Sequence, residues 1–85
     1  SSAVLEKNKE IINIYPNPAV SGKFLVATSS PASSIELTDL QGKNVDFNIV
    51  ENNNAYSFDI SALPKGVYLI NLEIDYKRYT HKIIH

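Results

Sequence analysis

Beyond residue 10 the apolar residues of this chain recur at every second position, and turn residues interrupt the alternation at intervals of about 8 to 12. Successive strand side chains point to opposite faces, so this period suits sheets with one buried and one solvated side; a helix needs spacings of three and four. In "YSFDI" the alternation sends Tyr56, Phe58 and Ile60 inward, and in "NVDFNI" it sends Val45, Phe47 and Ile49 inward with Asp46 and Asn48 outward. "IELT" buries Ile35 and Leu37, and in "VYLINLEI" the set Tyr68, Ile70, Leu72 and Ile74 outweighs its alternate. With "IINIY", "KFLVAT" and "YTHKII" these make seven strands, and the pattern leaves the inward face of "FLVA" and of the last strand open. Many short strands at this interval predict an all-β, antiparallel β-sandwich.

Turn chemistry supports the divisions. "DLQGK" offers Asp39 to open a turn and Gly42 to take a positive φ at a bulge, the pattern of a short hairpin loop. "ENNNA" reads as a polar hairpin loop and "IDYK" as a tight reversal. "NIYPNP" is the unusual stretch. Pro16 and Pro18 remove donors from one edge of an extended chain and push Tyr15 and Asn17 toward extended geometry, which predicts a stretch able to pair on one side only, either an edge strand or a chain leaving one sheet for another.

Eighty-five residues make one domain, and a domain of that size buries about 60 to 65% of its unfolded-chain surface. The absence of cysteine excludes a disulfide framework and thiol chemistry. Eight Lys and Arg against nine Asp and Glu leave no basic footprint, so nucleic acid is not an expected partner. The longest purely apolar runs, "FLVA" and "VYLI", fall far short of a membrane span. The opening "SSAVLEKNKE" has neither initiator Met nor signal-peptide layout and reads as the cut end of a longer protein, with residues 1–10 a linker and 11–85 the folded unit.

No constellation points to catalysis, a cofactor or a metal. His81 and His85 would stand about 13 Å apart on one strand face, too far to share an ion, and read as solvated residues on a fraying terminal strand. Asp39, Asp46, Asp59 and Asp75 sit in turns or on outward faces, and no serine has a nucleophile-elbow context. Tyr15, Tyr76 and Tyr79 are candidates for stacking on sugar rings. "LPKGVY" resembles the tyrosine corner of immunoglobulin-like sandwiches, with Tyr68 returning its hydroxyl to upstream backbone; the alternative is an ordinary core tyrosine. The last ten residues, "YKRYTHKIIH", hold Lys77, Arg78 and Lys82 and no acid. Such a tail is either a solvated face or a surface for an acidic partner.

"YPNP", "IELTDLQGKNV", "DISALPKGVYLINL" and the closing "THKIIH", in that order over residues 11–85, resemble the C-terminal sorting domain of proteins exported by the type IX secretion system of Bacteroidetes. The resemblance implies a seven-stranded, immunoglobulin-like antiparallel β-sandwich at the end of a secreted precursor. It implies a non-enzymatic signal that carries a covalently linked cargo through an outer-membrane translocon via the periplasm. A surface sortase then removes the signal, and the cargo is secreted or kept on the cell surface, often on lipopolysaccharide. Pro16, Asn17 and Pro18 match the opening motif, Asp39 and Gly42 the hairpin motif, and Gly66 and Tyr68 the late-strand motif. Lys82, Ile83 and Ile84 match the terminal motif, and with His85, where many members have Lys, they are the recognition candidates. The competing reading is a fibronectin-like accessory or carbohydrate-binding module of an extracellular enzyme. Under the sorting reading, loss of Lys82 to His85 should cost modest stability and nearly all of the export.

Overall fold

The structure is a computed structural model and describes residues 10–85. Seven strands follow one another: β1 (Ile12–Val20), β2 (Lys23–Thr28), β3 (Ser34–Thr38), β4 (Asn48–Asn52), β5 (Ala55–Asp59), β6 (Val67–Ile74) and β7 (Lys77–Ile84). They form two antiparallel sheets, a four-stranded sheet in the order β1-β2-β5-β4 and a three-stranded sheet in the order β3-β6-β7. This is the strand arrangement of a constant-type immunoglobulin sandwich, in which the first, second, fifth and fourth strands oppose the third, sixth and seventh.

The alternation seen in the sequence becomes the core. Tyr56, Phe58 and Ile60 from β5 and its exit meet Tyr68, Ile70 and Leu72 from β6, with Leu37 and Ile83 completing the cluster. The two open questions are resolved by burial. β2 turns Phe24 and Val26 inward, and β7 buries Ile83 completely, with Tyr79 and His81 half-buried on the same side. Phe24 and Phe47 both stack on Phe58, with centroids 4.7 and 5.2 Å away, a favourable separation for offset aromatic contact.

Three expectations need correction. The "NVDFNI" strand does not exist as read: β4 begins at Asn48, and the chain before it makes a single bridge from Asn44 to Thr38. After the "DLQGK" turn, Val45 donates to the Leu37 carbonyl at 2.9 Å, and the chain then leaves β3 for the opposite sheet. Val45, Phe47 and Ile49 all keep their inward aim, but Ile49 stands on the edge strand β4 and stays exposed. The alternation therefore marks a crossing, not a hairpin arm.

The second correction concerns the proline stretch. β1 is an edge strand as expected, but its ladder with β2 breaks between Tyr15 and Val20, and the Tyr15–Pro16 and Asn17–Pro18 bonds are both cis. The third concerns the histidines, which are neither solvated nor frayed; both are half-buried, and the backbone of His85 pairs with Gly66. Of the expected linker, residues 1–9 lie outside the described residues. Glu10 is tied to the body through its carboxylate, which accepts from the Ser29 hydroxyl and from the Ser30 amide.

The turns are tight. Asn53–Asn54 and Asp75–Tyr76 both occupy the left-handed region, as two-residue hairpins demand. Ser21–Gly22 does the same between β1 and β2. At Gly22 the constraint is double, because a Cβ there would stand 2.6 Å from the Ser61 Cα. After β5, the Asp59 carboxylate accepts from the Ser61 hydroxyl and the Ser61 amide, and these bonds hold its pKa below the ordinary carboxylate value.

Candidate recognition site at the closed edge

Strand register gathers the motif residues at one end of the three-stranded sheet. Thr38 at the end of β3 pairs with Leu69 near the start of β6, and Val67 pairs with Ile84 at the end of β7. The turn after β3 is organised by Asp39, whose Oδ1 accepts from the amides of Gln41 and Lys43, both at 2.9 Å. Gly42 takes φ +86 and donates to the Asp39 carbonyl, so the two motif residues jointly close this loop.

Tyr68 closes the corner on the other side of β6. Its hydroxyl donates to the Pro64 carbonyl at 2.5 Å, which is the tyrosine-corner contact. His85 approaches the same corner, with Nε2 3.1 Å from the Leu63 carbonyl. Its backbone exchanges two bonds with Gly66, at 2.8 and 3.2 Å, which extends the β6–β7 ladder past Ile84.

That ladder decides which groups of β7 face away from β6. Gly66 and His85 are a hydrogen-bonded pair, so by antiparallel alternation the backbone groups of Ile84 and Lys82 point outward. Asn17 meets them: Nδ2 donates to the Lys82 carbonyl at 2.9 Å, and Oδ1 accepts from the Ile84 amide at 3.1 Å. A primary amide carries the same donor and acceptor as a peptide group, so this single side chain occupies the place of a neighbouring strand. Pro16 and Pro18 flank it and carry no N–H of their own. The opening and terminal motifs are therefore bound to each other, and the clasp joins the β1 edge of one sheet to the β7 edge of the other.

The terminal residues divide by burial. Ile83 is wholly inside and acts as core. Lys82 and Ile84 present their side chains outward, and His85 is half-buried against the corner. Lys82 shares the outer face of β7 with Arg78 and Thr80, and Thr80 donates to Asn71, which donates to Thr38, a polar chain across all three strands. The three tyrosines considered for sugar stacking lie apart: Tyr15 on the outer face of the four-stranded sheet, Tyr76 in the β6–β7 turn, and Tyr79 half-buried against the core. They do not form a platform. Among the described residues no three His, Asp or Glu side chains gather as a metal site, and no helix is long and apolar enough to cross a membrane.

The motif positions of the sequence lie together here, and the bond that unites them has no local sequence signal. Asn17 was legible as a motif position, and nothing local announces a partner 67 positions away. Tyr56 is a core aromatic as its alternation predicts, and its hydroxyl also accepts from the Ala32 amide at 2.9 Å.

The fold is an immunoglobulin-like sandwich whose motif residues serve loop closure and edge closure. Residues 13–85 match the secretion system C-terminal sorting domain family, and the chain belongs to it. This is the type IX sorting domain, a signal family and not a catalytic one. Membership implies export to the cell surface or beyond, engagement with the secretion machinery and attachment to a cargo. No curated protein matches the chain.

Proposed function

We propose that this domain is a folded, non-enzymatic address that takes a linked upstream cargo through the outer-membrane translocon and is then removed by a surface sortase. Lys82, Ile84 and the His85 end of β7 are the surface that the machinery reads. The observation that carries this reading is the match over residues 13–85, joined to a terminal strand that is fully tied down yet leaves Lys82 and Ile84 exposed. Ile83, a recognition candidate by motif, takes the supporting role of anchoring the strand from beneath. A rigid signal of this kind needs no ordering on contact, which favours recognition of an exposed side-chain pattern over recognition of an unfolded tail.

The test is a reporter. Residues 1–85 are fused behind a signal peptide and a fluorescent protein in a Bacteroidetes host, with and without an intact translocon. The expected result is fluorescence outside the cell in the intact strain and retention in the translocon mutant, with the released reporter shorter than the fusion by the size of the domain. Equal export in both strains would overturn the proposal, and release at full fusion length would overturn the sortase step.

A further inference from the structure

The sandwich closes one of its sides and leaves the other open. Where β1 and β7 meet, the prolines, the broken ladder and the Asn17 clasp prevent further pairing. On the opposite side β4 ends the four-stranded sheet, all five of its residues are exposed, and it contains no proline, lysine or register break. Among the described residues no strand lies beyond it.

Its free hydrogen-bonding groups can be identified. The Asn54 carbonyl accepts from Thr28 and the Ile60 amide donates to Gly22, so the even-numbered positions along β5 turn toward β2 and the odd-numbered ones toward β4. Val50 therefore bonds to Ser57 in β5, and the backbone groups of Ile49 and Glu51 point outward. A strand added antiparallel would form two hydrogen-bonded pairs, one at each of these residues.

Both faces beside this edge offer apolar side chains to an added strand. On the inner side Ile49 and Glu51 border an opening of about 390 Å³ between the sheets, floored by Ile35, Phe47 and Tyr56. On the outer side Val50, 68% exposed, continues a row through Ser57 and Leu25 to Tyr15, along a depression of about 550 Å³. On the inner face the charge is acidic, because Glu51 is the charged residue among those that line the opening, whereas Lys23 lies on the outer face opposite Asp59.

We propose that β4 is an acceptor edge for an extended segment of another protein, one that places a basic residue opposite Glu51 and aliphatic residues opposite Val50 and Ile49. Charge selects this occupant over a second copy of the chain. Self-pairing about Val50 would put both Glu51 carboxylates on the same inner face, each against the other copy's Ile49, which is an edge-guarding use of an inward charge. A lysine opposite Glu51 removes that penalty, because its stem can lie along the apolar opening while its ammonium meets the carboxylate. The inference goes beyond the sorting reading and does not depend on it, since the edge lies on the side of the sandwich away from the β7 surface.

The test uses the 85-residue chain and the capped peptide Thr-Lys-Val-Ile-Thr, whose Lys, Val and Ile fall opposite Glu51, Val50 and Ile49. Amide exchange at Ile49 and Glu51 should slow by about tenfold at a peptide concentration about ten times its Kd, while the exposed turn amide of Tyr76 stays unchanged and the core amides Val26 and Ile70 gain only the global stability that binding adds. The peptide with Glu in place of Lys, and the one N-methylated at Lys and Ile, should give no protection. Glu51→Lys, a change at an exposed site, should reverse the preference between the Lys and Glu peptides. Any of three results overturns the proposal: no binding at millimolar peptide, binding that leaves Ile49 and Glu51 unprotected, or equal binding of the N-methylated peptide. Concentration-dependent protection of the same two amides without peptide also overturns it, and assigns the edge to a second copy.

Discussion

Asn17 holds Ile84 from the other sheet: its Oδ1 accepts the Ile84 amide at 3.1 Å while its Nδ2 binds the Lys82 carbonyl at 2.9 Å. One side chain thus supplies what an eighth strand would supply, and it does so at the position where a sandwich is open between its sheets. The proline pair now has a physical role. It removes competing donors around Asn17 and ends the β1 ladder, so that the edge is spent on β7 and not on a neighbouring molecule.

Asn17→Ala should therefore destabilise the domain by about 1 to 2 kcal/mol, the net value of two partly exposed hydrogen bonds. The local signature is more specific than the melting shift. Exchange of the Ile84 amide should become fast, while that of Ile70 should change only with global stability. An Ile84 amide that keeps its protection in the variant would show that the clasp does not form.

Two glycines separate conformational strain from crowding. Gly42 has φ +86 and open space around it, so Gly42→Val should cost about 1 to 3 kcal/mol from the left-handed backbone alone. Gly22 has φ +74 and the Ser61 backbone within 2.6 Å of any Cβ, so even Gly22→Ala adds a clash to the strain and should cost about 2 to 4 kcal/mol. Thermal or urea unfolding of both variants gives the order. If Gly42→Val melts with the parent protein, the strain assigned to that turn is wrong.

Tyr68 and Tyr56 are both buried, and each uses its hydroxyl differently. Tyr68 donates to the Pro64 carbonyl, and Tyr68→Phe should cost about 1 kcal/mol with the sandwich intact. Tyr56 accepts from the Ala32 amide, so Tyr56→Phe leaves a donor unpaired and should cost about 1 to 2 kcal/mol. Amide spectra should confine the second perturbation to the segment between β2 and β3. A neutral Tyr68→Phe would return that residue to ordinary core packing.

The strands that were legible in the sequence are those whose two faces see different surroundings along their whole length. In β5 and β6 every second residue is buried, and alternation alone identifies Tyr56, Phe58, Tyr68, Ile70, Leu72 and Ile74. β4 was misplaced because alternation is local: Val45, Phe47 and Ile49 keep one aim while the chain crosses between sheets, and no residue signals which sheet the backbone bonds to. The clasp was illegible for another reason. A side chain standing in for a strand leaves only an asparagine between prolines, and its meaning depends on a partner that the fold brings from the far end of the chain. The half-buried place of His85 is likewise illegible, because the carbonyls that receive it belong to a corner defined only after β5 and β6 pack.

The terminal motif can be tested only after its structural and recognition roles are separated. Truncation of Lys82 to His85, expected from the sequence to cost modest stability, removes the fully buried Ile83, both backbone partners of the clasp (the Lys82 carbonyl and the Ile84 amide) and the Gly66–His85 pair. Loss of the Ile83 side chain alone is worth about 2 to 5 kcal/mol, so the truncated domain should fail to fold stably, and its failure in export would say nothing about recognition. Lys82→Ala is the cleaner change. The Lys82 side chain is exposed and its clasp contact is made by the backbone carbonyl, so the variant should melt within about 0.5 kcal/mol of the parent protein. Export of the fused reporter should nevertheless fall markedly, and Lys82→Glu should lower it further, because a contact with an acidic surface becomes a repulsion. Lys82→Arg should retain export. Parent-level export of a folded Lys82→Glu variant would remove the charge of β7 from the recognition surface and leave Ile84 and the His85 corner as what the machinery reads.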